Sequence, residues 1–258
     1  MRVEQRSGRV QSVDRAAALL RAVARAAPSG APVAELAQEC GLNRATAWRL
    51  LATLEDNGLV ERDPAGSRYV LGLGVTRLAV AVGVDGLVRR ARPVLERVSE
   101  ASGETADLAV GRPTGLTYVD EVAPSSVMAA NWLGRAVPLH ATSSGKAWLA
   151  WLPAREAHAL LPAPLSAYTG TTLTSLSALD DEFAEIRARG FGTCRGEFES
   201  QLFGVSAPVL DEGRPVAVIS VWGPSDRITE DRFDGLGALV VEAAHELAAT
   251  LLPGAGAA

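Results

Sequence analysis

Residues 42–55 read LNRATAWRLLATLE, and the apolar residues of this segment recur at the spacing of an amphipathic helix. At about 100° per residue, one side carries residues that would pack on a core, and the other carries small or polar residues. Asn43 is a preferred helix N-cap residue, and Gly58 suits the position after the last turn. The expected core side comprises Asn43, Ala47, Leu50, Leu51 and Leu54, and the expected outer side comprises Ala45, Trp48, Arg49 and Ala52.

Two further helices are predicted before this segment, and a hairpin is predicted after it. Apolar residues at helical spacing predict a first helix over residues 12–27 and a second over residues 32–40. Residues 59–62 and 68–71 are short β-prone runs on either side of an Asp-Pro-Ala-Gly-Ser turn. The order of helix, helix, turn, helix and two-stranded wing predicts a winged helix-turn-helix.

The outer face of the third helix is typical of a helix that enters the major groove of DNA. Ala45 is small enough to allow close approach to the groove. Arg44, Thr46 and Arg49 supply hydrogen-bond donors for base edges and phosphates. Trp48 either stacks on sugar or methyl groups of DNA or packs against the wing, and packing is the favoured alternative.

The wing carries two arginines, Arg62 and Arg68, which are expected to contact DNA phosphates. The net charge of −5 hides an asymmetry, because residues 1–70 carry a balance of +2 and residues 71–258 one of −7. A competing interpretation is a three-helix protein–protein module with a solvated arginine face. The close spacing of the helices and the hairpin directly after the third favour DNA binding.

The rest of the chain predicts an α+β domain. Residues 75–101 are predicted to be helical, with a break at Gly83 and Gly86 and with Pro93 inside the second part. Strands are expected over residues 105–110, 116–122, 127–132, 191–195, 205–210 and 216–222, and helices over residues 143–152, 153–161, 179–189 and 229–252.

Composition and missing motifs exclude several protein classes. The chain has 258 residues, of which 48% are hydrophobic and 21% charged, as in a folded protein of one or two domains. No secretory signal, no membrane-length apolar run and only two cysteines are present, so a cytoplasmic location is expected. The histidines and cysteines lack metal-ligand spacing, and the segment around Lys146 lacks the flanking residues of a phosphate loop. We therefore expect no catalytic site, no metal and no cofactor.

Several segments together resemble the IclR family of bacterial transcriptional regulators. In the N-terminal part these are residues 12–16, 36–37, 42–55 and 69–72. The segment VPLHATSSGKA, residues 137–147, resembles the effector-domain motif of the family, and so does the segment from Gly190 to Asp211, with its VSAP at residues 205–208. The resemblance covers about residues 9–252.

The resemblance implies a winged helix-turn-helix over residues 9–72, a linker helix over residues 73–86 and a GAF-like α/β effector-binding domain over residues 87–252. It also implies a metabolite-responsive regulator, expected to be a repressor, that binds a double-stranded DNA operator as a homodimer or homotetramer without contact to a membrane. The effector would be an organic acid or an aromatic metabolite. The resemblance implies that the effector pocket is lined by Leu139, Ser143, Ser144, Cys194, Gly204, Ser220 and Trp222.

The chain departs from the family pattern at Cys194, Gly204 and Leu210. Fewer polar groups at the first two positions argue against a two- or three-carbon keto acid. Trp132 and Trp222 make an aromatic or larger apolar effector possible, although both tryptophans fit an ordinary core equally well.

Other roles stay open at this point. The acidic or polar end of the effector is expected at Thr142–Ser144, where a helix begins. Lys146 is expected to point to solvent or cap a carbonyl, and His140 to be packed and hydrogen-bonded. Glu197 either faces the effector or only braces its loop. The alternative to a regulator is a small-molecule enzyme built on the second domain, with the N-terminal module serving dimerisation.

Overall fold

The structure is a computed structural model that describes residues 10–82, 84–112, 114–124 and 132–251. The chain divides into two compact units, Met1–Gly83 and Val84–Ala258. Among the described residues, no helix combines the length and the apolar character needed to cross a bilayer.

The N-terminal unit is a three-helix module with a two-stranded wing, as predicted. Its small core is formed by buried apolar residues of all three helices and of the wing, among them Leu19, Leu36, Leu51 and Val60. The antiparallel wing pairs Val60 with Leu71. The elements are α1 (Gln11–Arg25), α2 (Val33–Glu39), α3 (Arg44–Asp56), β1 (Val60–Arg62), β2 (Tyr69–Leu71) and α4 (Leu73–Val82).

Local signals explain the bounds of α3. The side chain of Asn43 accepts a hydrogen bond from the backbone N–H of Thr46 at 2.8 Å and so satisfies one of the unpaired donors of the first turn. Gly58 follows the helix with φ of 69°, a left-handed conformation that glycine adopts without steric cost. Asn43 is therefore an exposed cap, and not part of the core side as its spacing suggested.

The C-terminal unit is built on one five-stranded antiparallel sheet in the order β4-β3-β7-β6-β5. Helices lie before, between and after the strands, as the sequence predicted. The elements are α5 (Asp85–Ser102), β3 (Thr105–Arg112), β4 (Gly115–Val122), α6 (Ser143–Leu149), α7 (Ala154–Ala159), α8 (Leu176–Arg189), β5 (Gly192–Arg195), β6 (Leu202–Asp211), β7 (Arg214–Pro224), a 3-10 turn (Glu230–Arg232) and α9 (Phe233–Leu251).

The two faces of this sheet are covered by different helices. Leu108, Val205 and Ile219 point to the face that packs against α5 and α9, and they belong to the larger hydrophobic core. Because side chains alternate along a strand, their neighbours Asp107 and Ser220 point to the opposite face, where α6 packs. The second face therefore places polar side chains beside α6.

Three sequence predictions differ from the structure in this unit. Gly86, which was expected to be part of a helix break, lies inside α5, which also contains Pro93. The last long helix begins at Phe233 after a 3-10 turn, instead of at Thr229. The strand predicted over residues 127–132 falls mostly outside the described residues, and Trp132, its one described member, is not in a strand.

Candidate DNA-binding helix and ligand cleft

The outer face of α3 is exposed in the orientation that the sequence predicted. Arg44, Ala45 and Arg49 are exposed and Thr46 is half-buried, all near the N-terminal end of the helix. The opposite side, including Leu51, is buried in the core of the N-terminal unit. The helix therefore presents hydrogen-bond donors and a small residue together, which is the arrangement required for reading a DNA groove.

Trp48 is among the exposed large hydrophobic residues, which favours contact with DNA over packing against the wing. Its side chain is 52% exposed on the same face as Arg44 and Arg49. The indole is accessible to a partner because about half of its surface is exposed to solvent. An exposed aromatic ring beside two arginines suits contact with sugar or methyl groups of DNA.

The two wing arginines have partners within the N-terminal unit. The Nε and Nη2 atoms of Arg68 donate to the carbonyl oxygen of Gly30, at 3.1 and 2.9 Å, and Nε also lies 3.0 Å from the carbonyl oxygen of Ser29. Arg62 forms a 3.3 Å ion pair with Glu55. Arg68 therefore ties the wing to the loop between α1 and α2, a structural role that the sequence interpretation as a phosphate contact missed.

The C-terminal unit contains a cleft of about 520 Å³, counting the part that opens to solvent, on the α6 side of the sheet. Small-molecule sites are usually concave and lined mainly by apolar and aromatic side chains with a few polar groups, and this cleft has that character. The residues that line the cleft are Asp107, Tyr118, Trp132, Pro138, Thr142, Ser143, Ser144, Cys194, Phe198, Leu202, Phe203, Gly204, Ser220 and Trp222.

Six of the seven predicted effector residues line this cleft: Ser143, Ser144, Cys194, Gly204, Ser220 and Trp222. The seventh, Leu139, does not line it, because its side chain is buried in a core cluster with Leu116 and Ala147. The sequence left open whether Trp132 forms a wall of the effector site or part of the core. Trp132 lines the cleft as well.

The hydroxyl groups at the start of α6 are already hydrogen-bonded within the protein. Thr142 accepts from the N–H of Gly145 at 3.0 Å and donates to the carbonyl of Pro138 at 2.9 Å. Ser206 donates to Ser143 at 2.8 Å, and the hydroxyls of Ser144 and Tyr118 are 3.0 Å apart. Ser143 and Ser144 therefore hold α6 on the sheet and Thr142 caps its first turn, while the Ser143 hydroxyl, which accepts from Ser206, keeps its own hydrogen for another acceptor.

Gly204 permits a close approach of elements and does not simply provide empty room. A Cβ atom at this position would lie 3.0 Å from the carbonyl oxygen of Val221, 3.1 Å from Cβ of Trp222 and 3.3 Å from Oγ of Ser143. The absence of a side chain lets α6 and the neighbouring strand come together at the edge of the cleft.

Lys146 is buried in an ion pair, and the expectation that it points to solvent was wrong. It is 1% exposed, and its Nζ lies 2.7 Å from both carboxylate oxygens of Glu197 and 3.6 Å from Glu182. Glu197 therefore braces the loop after β5 and does not reach the cleft. His140 is packed and hydrogen-bonded as predicted, with Nε2 2.8 Å from the carbonyl oxygen of Ser166.

The sequence interpretation missed the most unusual polar residue of the cleft, Asp107. Burial, with a smaller contribution from the nearby charge of Glu121, raises the pKa of its carboxyl to about 7. Ser220 and Trp222 lie near enough to oppose the shift, although no hydrogen bond to Oδ1 meets ordinary distance and angle limits. A charged residue inside an otherwise apolar strand was the signal that could have identified it.

The remaining ionisable groups of the cleft also favour their neutral forms. Burial raises the pKa of the Tyr118 phenol well above its usual range and raises the pKa of the Cys194 thiol. The Cys194 thiol donates to the carbonyl of Ala141 at 3.4 Å. Neither group is therefore an activated nucleophile, and the cleft has the properties of a binding site.

Comparison with known proteins assigns both units. Residues 12–64 match the IclR helix-turn-helix domain, and residues 79–249 match the C-terminal domain of the bacterial transcriptional regulator IclR. The chain is similar to the HTH-type transcriptional regulator Rv1719 of Mycobacterium tuberculosis, with 35% identity over 92% of this chain and 91% of that protein. It is also similar to the acetate operon repressor of Salmonella typhimurium, with 36% identity over 93% and 90%.

A solved structure agrees with this assignment over the whole length. The crystal structure of the Thermotoga maritima IclR superposes with a TM-score of 0.61 at 27% identity, covering 93% of this chain and 98% of that one. The helix-turn-helix, the five-stranded sheet and both family matches lead to one conclusion. The chain belongs to the IclR family of bacterial transcriptional regulators and is a DNA-binding regulator, not an enzyme.

Proposed function

We propose that α3 reads an operator through Arg44, Thr46 and Arg49, with Ala45 allowing close approach and Trp48 contacting sugar or methyl groups. The observation that carries this proposal is the exposure of Arg44, Ala45, Trp48 and Arg49, with the half-buried Thr46 among them, on a helix capped by Asn43. Bidentate contacts from arginine to guanine supply base specificity, and contacts to phosphates supply affinity. The proposal gives Arg68 a second, indirect role, because it holds the wing in place beside the reading helix.

We divide the chain by function into a DNA-binding domain over residues 9–72, a linker helix over residues 73–86 and an effector-binding domain over residues 87–252. A homodimer or homotetramer places two reading helices on two half-sites, about one helical turn apart or a multiple of it. Leu73 and Leu78 of α4 are 75% and 58% exposed, and such apolar residues are candidates for part of the subunit contact.

The cleft gives this regulator its response to a metabolite. Ligand binding changes DNA affinity only if the ligand binds the DNA-competent and DNA-incompetent forms with different affinities. Repression is the expected mode, since two relatives are named acetate operon repressor and transcriptional repressor IclR. Because the proposed operator is bacterial chromosomal DNA, we propose that the protein acts in the cytoplasm.

A reporter gene behind the DNA upstream of this protein's own gene tests the proposal in cells. Replacing Arg44 and Arg49 together by alanine should abolish regulation of the reporter, since the donors on α3 are lost while the core side of the helix is untouched. Ser143→Leu should keep repression but lose the response to growth conditions, because a larger side chain fills the cleft. Equal regulation by the wild type and both variants would contradict the proposal, once immunoblots show equal protein levels.

A further inference from the structure

The cleft contains two buried polar groups that have no hydrogen-bond partner among the described residues. Asp107 on β3 and Ser220 on β7 are directly paired across the two strands, and each is 2% exposed. Neither Oδ1 of Asp107 nor Oγ of Ser220 has a partner, although both residues line the cleft. A buried polar group without a partner costs about 1–3 kcal/mol, and such groups are rare in folded proteins. A ligand in the cleft would supply the missing partner.

The charges around this pair limit the chemistry of that ligand. The described residues that line the cleft include no lysine, arginine or histidine, and the one acidic residue among them is Asp107. The nearest other carboxyl in the strand pairing is Glu121, which is opposite Asp107 on β4. A carboxylate ligand would find no cation among the described residues that line the cleft, and above about pH 7, where Asp107 is ionised, it would be repelled by that carboxylate.

The hydrogen-bonding needs of the pair limit the ligand further. When Asp107 is ionised, its Oδ1 needs a donor, whereas Oγ of Ser220 can either donate or accept. A ligand hydroxyl meets both needs at once, since it donates one hydrogen bond and accepts another. The hydroxyls of Thr142, Ser143 and Ser144 each have at least one partner within the protein, whereas Oδ1 of Asp107 and Oγ of Ser220 have none among the described residues.

Aromatic side chains form much of the rest of the cleft. Trp132, Phe198, Phe203 and Trp222 line it, and the rings of Trp132 and Phe198 lie edge to face with their centroids 5.6 Å apart. Flat apolar walls of this kind bind a planar ring by shape and by burial of apolar surface. The cleft therefore combines aromatic walls with one pair of polar groups that lack partners, Asp107 and Ser220.

We propose that the effector is an uncharged aromatic compound with a hydroxyl group, and that this hydroxyl donates to Asp107 and accepts from Ser220 while the ring lies against Trp222. The proposal rests on the cleft being the effector site of the regulator. It differs from the expectation of an acidic effector end at the start of α6, where the hydroxyls are already paired.

Three probes with one ring each test the proposal: phenol, anisole and benzoate. Binding is measured at pH 8, where Asp107 is mostly ionised, by calorimetry and by quenching of tryptophan fluorescence, with the full chain and without DNA. Phenol is expected to bind with a dissociation constant of about 1 mM or lower, and about tenfold more tightly than anisole, which lacks the donor. Benzoate is expected to bind more weakly than phenol, because its charge has no partner in the cleft.

Variants connect that preference to the two residues. Asp107→Ala should reduce the preference for phenol over anisole to about twofold or less, because the acceptor is gone. Ser220→Ala provides a second, independent variant should the first not fold, and it should reduce the same ratio. Val218→Ala is the matched control, since Val218 is buried on the same face of β7 but does not line the cleft. It should leave the ratio unchanged.

Three results would overturn the proposal: tighter binding of benzoate than of phenol, no binding of phenol, or an unchanged phenol-to-anisole ratio in a folded Asp107 or Ser220 variant. These results are separable from failure of the proposed function. DNA binding is measured with the same protein in a separate titration, and it does not depend on which probe occupies the cleft.

Discussion

Replacing Asp107 by asparagine should make the C-terminal unit more stable than the wild type at pH 8, by a margin that shrinks as the pH falls. The carboxyl is buried and its pKa is raised to about 7, against about 3.9 in an unfolded chain. Below about pH 4 both states hold the proton, and between about pH 4 and pH 7 only the folded state holds it. The stability of the wild type therefore falls as the pH rises through this interval and is constant above it.

The size of the effect follows from the pKa difference. Three pKa units correspond to about 4 kcal/mol at pH 8, and about 3 kcal/mol of this develops between pH 5 and pH 8. Asparagine does not ionise, so the gap between variant and wild type should widen by about 3 kcal/mol over that interval. The charge of Glu121 contributes to the raised pKa of Asp107. In the Glu121→Gln variant, the free energy of unfolding should therefore depend less on pH than in the wild type.

The assay is urea unfolding of the full chain, followed by tryptophan fluorescence at several pH values. Trp132, Trp148, Trp151 and Trp222 lie in the C-terminal unit, so four of the five tryptophans report on it. Asp181→Asn, which changes an exposed aspartate on α8, serves as the control and should not alter the pH dependence. A gap that stays constant from pH 5 to pH 8 would refute the reasoning, because it would mean that Asp107 titrates as an ordinary exposed carboxyl.

Three other substitutions have defined outcomes. Arg49→Ala should weaken operator binding by about 1–3 kcal/mol in fluorescence anisotropy if the arginine contacts a base, and unchanged affinity of a folded variant would remove it from the reading set. Arg68→Ala should increase hydrogen exchange in the wing and weaken binding to all DNA sequences alike, because its bonds to the carbonyl of Gly30 are lost; a defect limited to one sequence would instead indicate base reading. Lys146→Met should destabilise the C-terminal unit by about 3–5 kcal/mol in urea unfolding, since it leaves Glu197 buried without its partner, and a second change of Glu197 to Gln should recover part of this loss. Simple additivity of these two changes would contradict a direct ion pair.

The elements that the sequence predicted well are those with strong local signals. The cap at Asn43, the glycine at position 58 and the Asp-Pro turn of the wing act over a few residues, so they can be read without knowledge of the fold. The same holds for the exposed face of α3, because helical spacing alone determines which residues are opposite the core.

The features that were missed depend on residues far apart in the chain. Lys146 and Glu197 are separated by 51 residues, and Arg68 and Gly30 by 38, so no local pattern indicates either contact. The family resemblance identified most of the cleft, but not Asp107, whose importance comes from its pairing with Ser220 on a strand more than a hundred residues later.

Selection of genomic DNA by the purified protein tests most directly that this chain is a sequence-specific regulator that reads DNA with α3. Sheared genomic DNA of the source organism is incubated with the full chain, and bound fragments are sequenced and compared with the input. The wild type should enrich a small set of fragments that share a two-fold symmetric sequence, with half-sites about one helical turn apart or a multiple of it. A folded variant with Arg44→Ala and Arg49→Ala should enrich none of them. Absence of enrichment by the wild type, or the same enriched set with the variant, would contradict the central claim.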